Sequence, residues 1–430
     1  MTALLIFGAL IVLLLTGMPI FAALGLASLG VLWIMEGRVD AMADTVFASL
    51  NNPLLAAIPM FAFMAHVMIK AKVVDDLFDM ANKLVGHIKG GLGFATILSC
   101  TIFASISGSS VATALTIGST AIPQMQKYGY RKRDTYGIIA AGGTLGILIP
   151  PSGPMILYAI VTDASIGALF LAGLIPGLII ALIFAIFSWV QANSHGETQK
   201  QDWVGTPEVL RALRRSFWAV MMPPVVMGGI YLGVFTATEA AAIGATYALL
   251  VAIFVYRNLS ARDLWDCLWE TMRTTALLFM IIAAAGIFGH AITLIRLPAE
   301  IVQTVTAMGL GQTAFILLVM IAIFVLGMFL ETIAIILITT PIILPTLIAL
   351  DINPVWYGVM LMINLELALI TPPVGMNLFV IKGITGAPLA QIMRGSAPYV
   401  LLLLGGLFLI WAFPQLSLWL PQAAGFGRVY

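Results

Sequence analysis

Apolar runs long enough to cross a ~30 Å hydrocarbon core recur along the whole chain, separated by short polar stretches. The pattern predicts transmembrane helices and favours a helical bundle over a β-barrel, whose strands would alternate in polarity. Spans are expected near residues 3–16, 19–35 and 53–69, followed by a more polar amphipathic segment from Lys72 to Lys89. Two apolar arms, near 92–106 and 111–125, then flank Ser107-Gly108-Ser109-Ser110. Each arm is too short to cross. Together they predict a re-entrant hairpin whose hydroxyl-rich tip stops near mid-membrane, where unpaired backbone groups need polar company. A span at 135–162 follows, interrupted by Pro150-Pro151, and then an unbroken one at 166–191. Proline removes a ladder donor, clashes with the preceding turn and pushes the residue before it out of the α region, so the helix must stop and restart.

The second half repeats this order. Spans are expected at 217–235, 237–256 and 274–291, then an amphipathic segment from Arg296 to Met308. Arms at 312–328 and 333–348 flank Leu330-Glu331-Thr332, a second broken span at 356–382 carries Pro372-Pro373, and a last span covers 396–420. Pro123 matches Pro345, Tyr136-Gly137 matches Tyr357-Gly358, Gly153 matches Gly375 and Pro176 matches Pro398, while His66–Ile69 resembles His290–Thr293. Matched prolines and glycines point to an internal duplication.

Short cytoplasmic loops hold the excess of lysine and arginine. The loop after the first hairpin carries Lys127, Arg131, Lys132 and Arg133, whereas its counterpart, Asp351 to Pro354, carries no positive charge. The two repeats are therefore expected to be inverted. Threading the spans from that anchor leaves only Arg38, Arg296 and Arg428 of the 20 basic residues outside, with both termini facing the periplasm. The expected fold is an all-α integral membrane protein of two inverted repeats, each with a re-entrant helical hairpin and a Pro-Pro-broken helix, arranged as an elevator-type scaffold plus transport domain. Its divisions are scaffold helices at 1–71, an amphipathic arm at 72–90, the first repeat of the transport domain at 91–192 and a cytoplasmic linker at 193–213 containing Gly196, Gly205 and Pro207. Scaffold helices at 214–292, an arm at 293–309, the second transport repeat at 310–421 and a tail at 422–430 follow.

Composition agrees. The chain is 61% hydrophobic and 9% charged with a mean hydropathy of +1.08, against about a quarter charged in soluble domains. The first two runs follow one another at once, which argues for a retained span rather than a cleaved signal peptide. A net charge of +1 implies no nucleic-acid partner, Cys100 and Cys267 form no metal or redox motif, and His66, His87, His195 and His290 show no ligand spacing. Ser105-Ile106-Ser107-Gly108 superficially resembles an intramembrane serine protease, but no histidine is placed to act as its base, so no enzyme is expected.

The polar residues that remain lie at the breaks. Around the first tip are Ser107, Gly108, Ser109, Ser110 and Thr113, with Gly142, Gly143, Thr144 and the carbonyls before Pro150 from the broken span. Such neutral oxygens suit a hard cation, and sodium is the natural candidate. The second-half equivalents are Gly327, Glu331, Thr332, Thr339, Asn364, Glu366, Thr371 and Asn377. Ionisable groups at membrane depth are costly and usually functional, so Glu331 and Glu366 are open to three roles: cation ligand, proton relay or paired group. Glu239 and Asp163 are expected nearer the interfaces in structural roles. No lysine or arginine falls at the predicted midplane. An anionic substrate would then rest on half-helix N-termini, hydroxyls and amides, with Ser152, Gly153, Asn364, Val374 and Asn377 as candidates. The two amphipathic arms, linking static and hairpin-bearing parts, suggest a sliding motion.

Thr16-Gly17-Met18-Pro19, Ser107-Gly108-Ser109-Ser110, Ile149-Pro150-Pro151-Ser152, Gly327-Met328-Phe329-Leu330-Glu331 and Ile370-Thr371-Pro372-Pro373-Val374-Gly375-Met376-Asn377-Leu378 together resemble the large membrane subunit of TRAP transporters (tripartite ATP-independent periplasmic transporters), within the ion-transporter superfamily. The resemblance covers essentially the whole chain. It implies a sodium-driven elevator importer in a bacterial inner membrane that receives a small organic acid, a dicarboxylate or sialic-acid-like compound, from a periplasmic substrate-binding protein. Family sodium sites would fall on Ser107, Gly108, Ser109, Ser110, Gly143, Thr144 and Pro150, and on Gly327, Glu331, Thr332, Thr371, Pro372 and Gly375; Na+ is the coupling ion, with no other cofactor. A small four-helix membrane subunit is implied as partner, expected as a separate chain because the large-subunit pattern begins at Thr2. The alternatives are a stand-alone ion-coupled carboxylate symporter of the same fold and a membrane scaffold or channel subunit.

Overall fold

The computed structural model describes residues 2–37, 41–194, 199 and 201–426; Arg38, His195, Gly196, Lys200 and Arg428 lie outside the described residues. Every regular element among these residues is a helix, and seven helices are long and apolar enough to cross a membrane. The chain opens with Thr2–Leu15, Ile20–Glu36, a short Ala41–Leu50 that the apolar pattern does not announce, and the span Pro53–Lys70. The first arm is Val73–Val85, the first hairpin Gly91–Ser107 with Ser110–Lys127, and the first broken helix Lys132–Gly143, Leu145–Leu148 and Gly153–Thr162. Ile166–Ser194 ends this half. The same order returns as Thr206–Tyr231, Ala237–Tyr256, Ala261–Leu294, the arm Leu297–Ala307, the hairpin Gln312–Gly327 with Thr332–Ala349, the broken helix Pro354–Leu369 and Met376–Thr385, and Leu389–Ala412.

Three boundaries differ from the sequence reading. Thr206–Tyr231 starts inside the stretch expected to be a linker, Ala261–Leu294 starts well before residue 274, and the last span stops at Ala412 with Gln415–Ala423 as a separate helix after Pro414. The first two extensions carry charges on one side and apolar residues on the other, which a hydropathy window scores as loop although the backbone continues as a helix. A third proline pair, Pro223-Pro224, sits inside a continuous helix. Pro150-Pro151 and Pro372-Pro373, both with cis peptide bonds, interrupt theirs and are each followed two residues later by glycine, with Gly375 in the left-handed region.

Each arm begins at a residue in left-handed conformation, Lys72 in one half and Arg296 in the other. In the first arm Val74, Leu77, Phe78 and Ala81 point inward, while Asp79 and Lys83 pair on the outer face at 2.8 Å. Its root is fastened to the second half of the chain. Arg215 Nε lies 2.9 Å from Asp76 Oδ2, Ser216 Oγ donates to the Asp76 carbonyl at 2.8 Å, and Asn258 Nδ2 donates to the Ala71 carbonyl at 2.7 Å. Nearby, Lys70 bridges Asp263 and Asp266 at 3.2 and 3.0 Å. Ser260 caps the helix that carries both aspartates, accepting from the Asp263 N–H at 3.1 Å.

The halves meet along glycines that leave no room for a side chain. A Cβ on Gly137 would strike the backbone of Gly395, and one on Gly395 the backbone of Arg133. The matched Gly358 lies under the ring of Tyr158, where a Cβ would come within 2.6 Å. Each repeat thus presses its first broken-helix segment against the other half.

Candidate functional site

The first tip is shaped by its own hydroxyls. Gly91–Ser107 ends at Gly108 in left-handed conformation, and Ser109, extended, caps the next helix by accepting from the Ala112 N–H at 3.3 Å. Thr113 Oγ1 donates to the Ser109 carbonyl at 2.8 Å and lies 3.0 Å from Ser107 Oγ. The tip sits directly on the first break: a Cβ on Gly108 would be 2.7 Å from the Pro151 carbonyl oxygen, and one on Gly146 2.5 Å from the Ser109–Ser110 peptide. Gly143 faces Ser110, and the Thr144 hydroxyl turns back to the Ala141 carbonyl at 2.6 Å. Pro150 and Ser152 are buried, Ser152 Oγ without a hydrogen-bond partner.

The second tip is built differently. Glu331 is the N-cap of Thr332–Ala349, yet its carboxylate makes no capping bond. Gly327 packs against Ala368, where a Cβ would approach within 2.6 Å, and the Thr371 hydroxyl donates to the Leu367 carbonyl at 2.6 Å. Thr339 likewise bonds back to Ile335. Pro372 and Val374 are exposed, in contrast to the buried first break, and Gly375 is buried.

A cavity of about 270 Å³ lies between the two tips. Ser107, Gly108, Ser109 and Ser110 line it from one hairpin, Glu331 and Thr332 from the other, and Pro151 and Gly153 from the first break. Phe61 and Ala62 of Pro53–Lys70 and Thr274 and Leu277 of Ala261–Leu294 also line it. Ser110, Gly153, Thr332 and Met376, each the first residue of a helix, all line it. Four helix N-termini, each carrying partial positive charge, therefore border one space. Glu331 is the one carboxylate in the lining, which contains no lysine, arginine or histidine among the described residues.

The structure thus brings together the first-tip residues and, from the second half, Glu331 and Thr332. Asn364, Asn377, Ser152 and Val374 do not line the cavity. Asn364 is buried and donates to the Met320 carbonyl at 2.8 Å, which ties the broken helix to the second hairpin. Asn377 is fully buried with neither amide atom partnered and packs against Gly143, beside the first tip. Glu366, which sequence position groups with the second tip, reaches the first: one carboxylate oxygen accepts from Ser110 Oγ and, at 3.1 Å, from the Ile147 N–H. Asp163, the C-cap of Gly153–Thr162, and Glu239, in a capping box with Thr236, sit at helix ends. Sequence reasoning missed the contribution of Pro53–Lys70 and Ala261–Leu294 to the lining. The signal was Thr274, obscured because the span was drawn to begin there.

A family model described as "Tripartite ATP-independent periplasmic transporter, DctM component" matches residues 7–416. The chain is 40% identical over 404 residues to the C4-dicarboxylate TRAP transporter large permease protein DctM of Pseudomonas aeruginosa, covering 94% of each chain. It is 33% identical over 418 residues to the sialic acid TRAP transporter large permease protein SiaM of Vibrio cholerae, covering 97% of this chain and 98% of that one. Among solved structures, the YdaH transporter of Alcanivorax borkumensis has the same fold, with a TM-score of 0.65 at 12% identity over 91% of this chain and 89% of that one.

Proposed function

Because the chain belongs to the DctM-component family of tripartite ATP-independent periplasmic transporters, and is therefore a multi-pass transport subunit rather than an enzyme, we propose that it imports a small organic acid by a sodium-coupled elevator motion. It would sit in a bacterial inner membrane, work with a small four-helix membrane subunit, and receive its substrate from a periplasmic binding protein.

The observation that carries this reading is the convergence of four helix N-termini on one cavity whose lining offers no basic side chain. Backbone N–H groups at helix starts hold carboxylates without a lysine or arginine. Glu331 would repel an incoming anion, so a bound cation is needed before the acid is held well. The tips have the oxygens for it. Ser107, Ser109, Thr113 and the Pro151 carbonyl crowd the first, and Glu331, Thr332 and the chain around Thr371 the second. Neutral oxygens of this kind fit sodium, which would supply positive charge at the cavity wall. Cation binding would then precede and promote anion binding, and that order is what couples the two fluxes. A volume near 270 Å³ lies at the lower edge of ligand sites and favours a C4-dicarboxylate over a bulkier sugar acid.

The test is uptake by proteoliposomes containing this chain, the small subunit and the binding protein. Uptake of labelled dicarboxylate is expected to require an inward sodium gradient and to resist competition by sialic acid. Unchanged uptake with potassium on both sides would refute the sodium coupling.

A further inference from the structure

We propose that Glu366 is a positioning residue that sets the first tip for cation binding from the second half of the chain, and so makes the two tips respond together. This deepens the sodium-coupled reading and rests on it. Glu366 is fully buried on Pro354–Leu369, the helix that leads into the second break. Its bonded oxygen holds Ser110 Oγ, at the start of the second arm of the first hairpin, and the Ile147 N–H, just ahead of the first break. Both partners line the cavity.

The same helix also touches the other hairpin. Gly327, the last residue before the second tip, packs on Ala368 and Leu365, the latter adjacent to Glu366 in the chain. One helix therefore contacts both hairpins, through a hydrogen bond at the first tip and through Ala368 and Leu365 packed on Gly327, at the end of the other hairpin's first arm. A cation that tightens the first tip would pull on Ser110, and through Glu366 on the helix against which Gly327 of the second hairpin rests. Among the described residues Glu366 enters no ion pair, so it is not a member of a charge pair. What it supplies is reach and an acceptor. Buried donors that lose their acceptor are costly, and a tip whose Ser110 is released should bind a cation less well.

The experiment separates reach from charge. Sodium-dependent thermal stabilisation of the detergent-solubilised complex with the small subunit is titrated against choline at constant ionic strength. Glu366→Gln keeps the reach and an acceptor oxygen but cannot ionise; Glu366→Asp keeps an ionisable carboxyl and withdraws the oxygen. E366Q is expected to hold the half-saturating sodium concentration within about threefold of wild type, and E366D and E366L to raise it about tenfold or more, on the scale of a lost buried hydrogen bond. E366D serves if E366L does not assemble. The reverse ranking, with E366Q impaired and E366D normal, or unshifted sodium midpoints in E366D and E366L, would overturn the positioning role while leaving the sodium reading intact. A wild-type complex indifferent to sodium would overturn both.

Discussion

At the scale of single residues, the site depends on positions where a side chain is absent as much as on those that carry one. Gly146 lets the first broken helix lie against the Ser109–Ser110 peptide. Gly146→Ala should therefore destabilise the protein by about 1–3 kcal/mol, the cost of overpacking, and lower uptake at least tenfold. Gly405→Ala, at a position with open space around it, should be close to neutral, and thermal unfolding of the two variants provides the comparison. Ser109→Leu and Thr371→Val are expected to weaken sodium dependence of uptake, the first by removing the cap oxygen and the second by removing a hydroxyl beside the second break. Identical sodium titrations of both variants and wild type would contradict this. The hydroxyl-rich tip and the glutamate tip are legible in the residues themselves, because Ser107-Gly108-Ser109-Ser110 and Leu330-Glu331-Thr332 interrupt apolar arms. That Glu366 and Asn377 serve the first tip rather than the second is not. Sequence order assigns them to the second repeat, and only the packing of one half against the other carries them across.

At the scale of elements, the breaks were legible because proline chemistry is local, whereas the lengths of amphipathic helices were not. Ala261–Leu294 reads as a span preceded by a charged loop, yet the Ser260–Asp263 capping box starts it thirteen residues before the apolar window and places Thr274 mid-helix on the cavity wall. The Pro223-Pro224 pair marks the limit of the proline argument. Two ladder donors are lost there and the helix still continues. The first arm is held at its root by a half-open ion pair in which Asp76 is buried and Arg215 exposed. Arg215→Ala strands a buried carboxylate and should cost about 1–3 kcal/mol, seen as a lower thermal midpoint. Adding Asp76→Asn should restore part of the loss, and a double variant less stable than R215A alone would contradict the pairing argument.

At the scale of the whole molecule, the two halves share the order arm, hairpin, broken helix and span, and differ where they meet the cavity. The first break is buried under its hairpin and the second is exposed. The first tip presents neutral oxygens and the second a carboxylate. Pro53–Lys70 and Ala261–Leu294 contribute part of the cavity lining, while the hairpins and breaks contribute the rest. In the proposed account the hairpins and broken helices travel as one body past those spans and carry the cavity from one face to the other. The most direct measurement is the distance between spin labels at Leu250, on the scaffold span Ala237–Tyr256, and Ile348, at the end of the second hairpin, both exposed; the native Cys100 and Cys267 are buried. In the reconstituted complex, two distance populations are predicted whose weights shift when sodium and substrate are added together. A single distance, unchanged by sodium, substrate or both, would contradict a moving transport body.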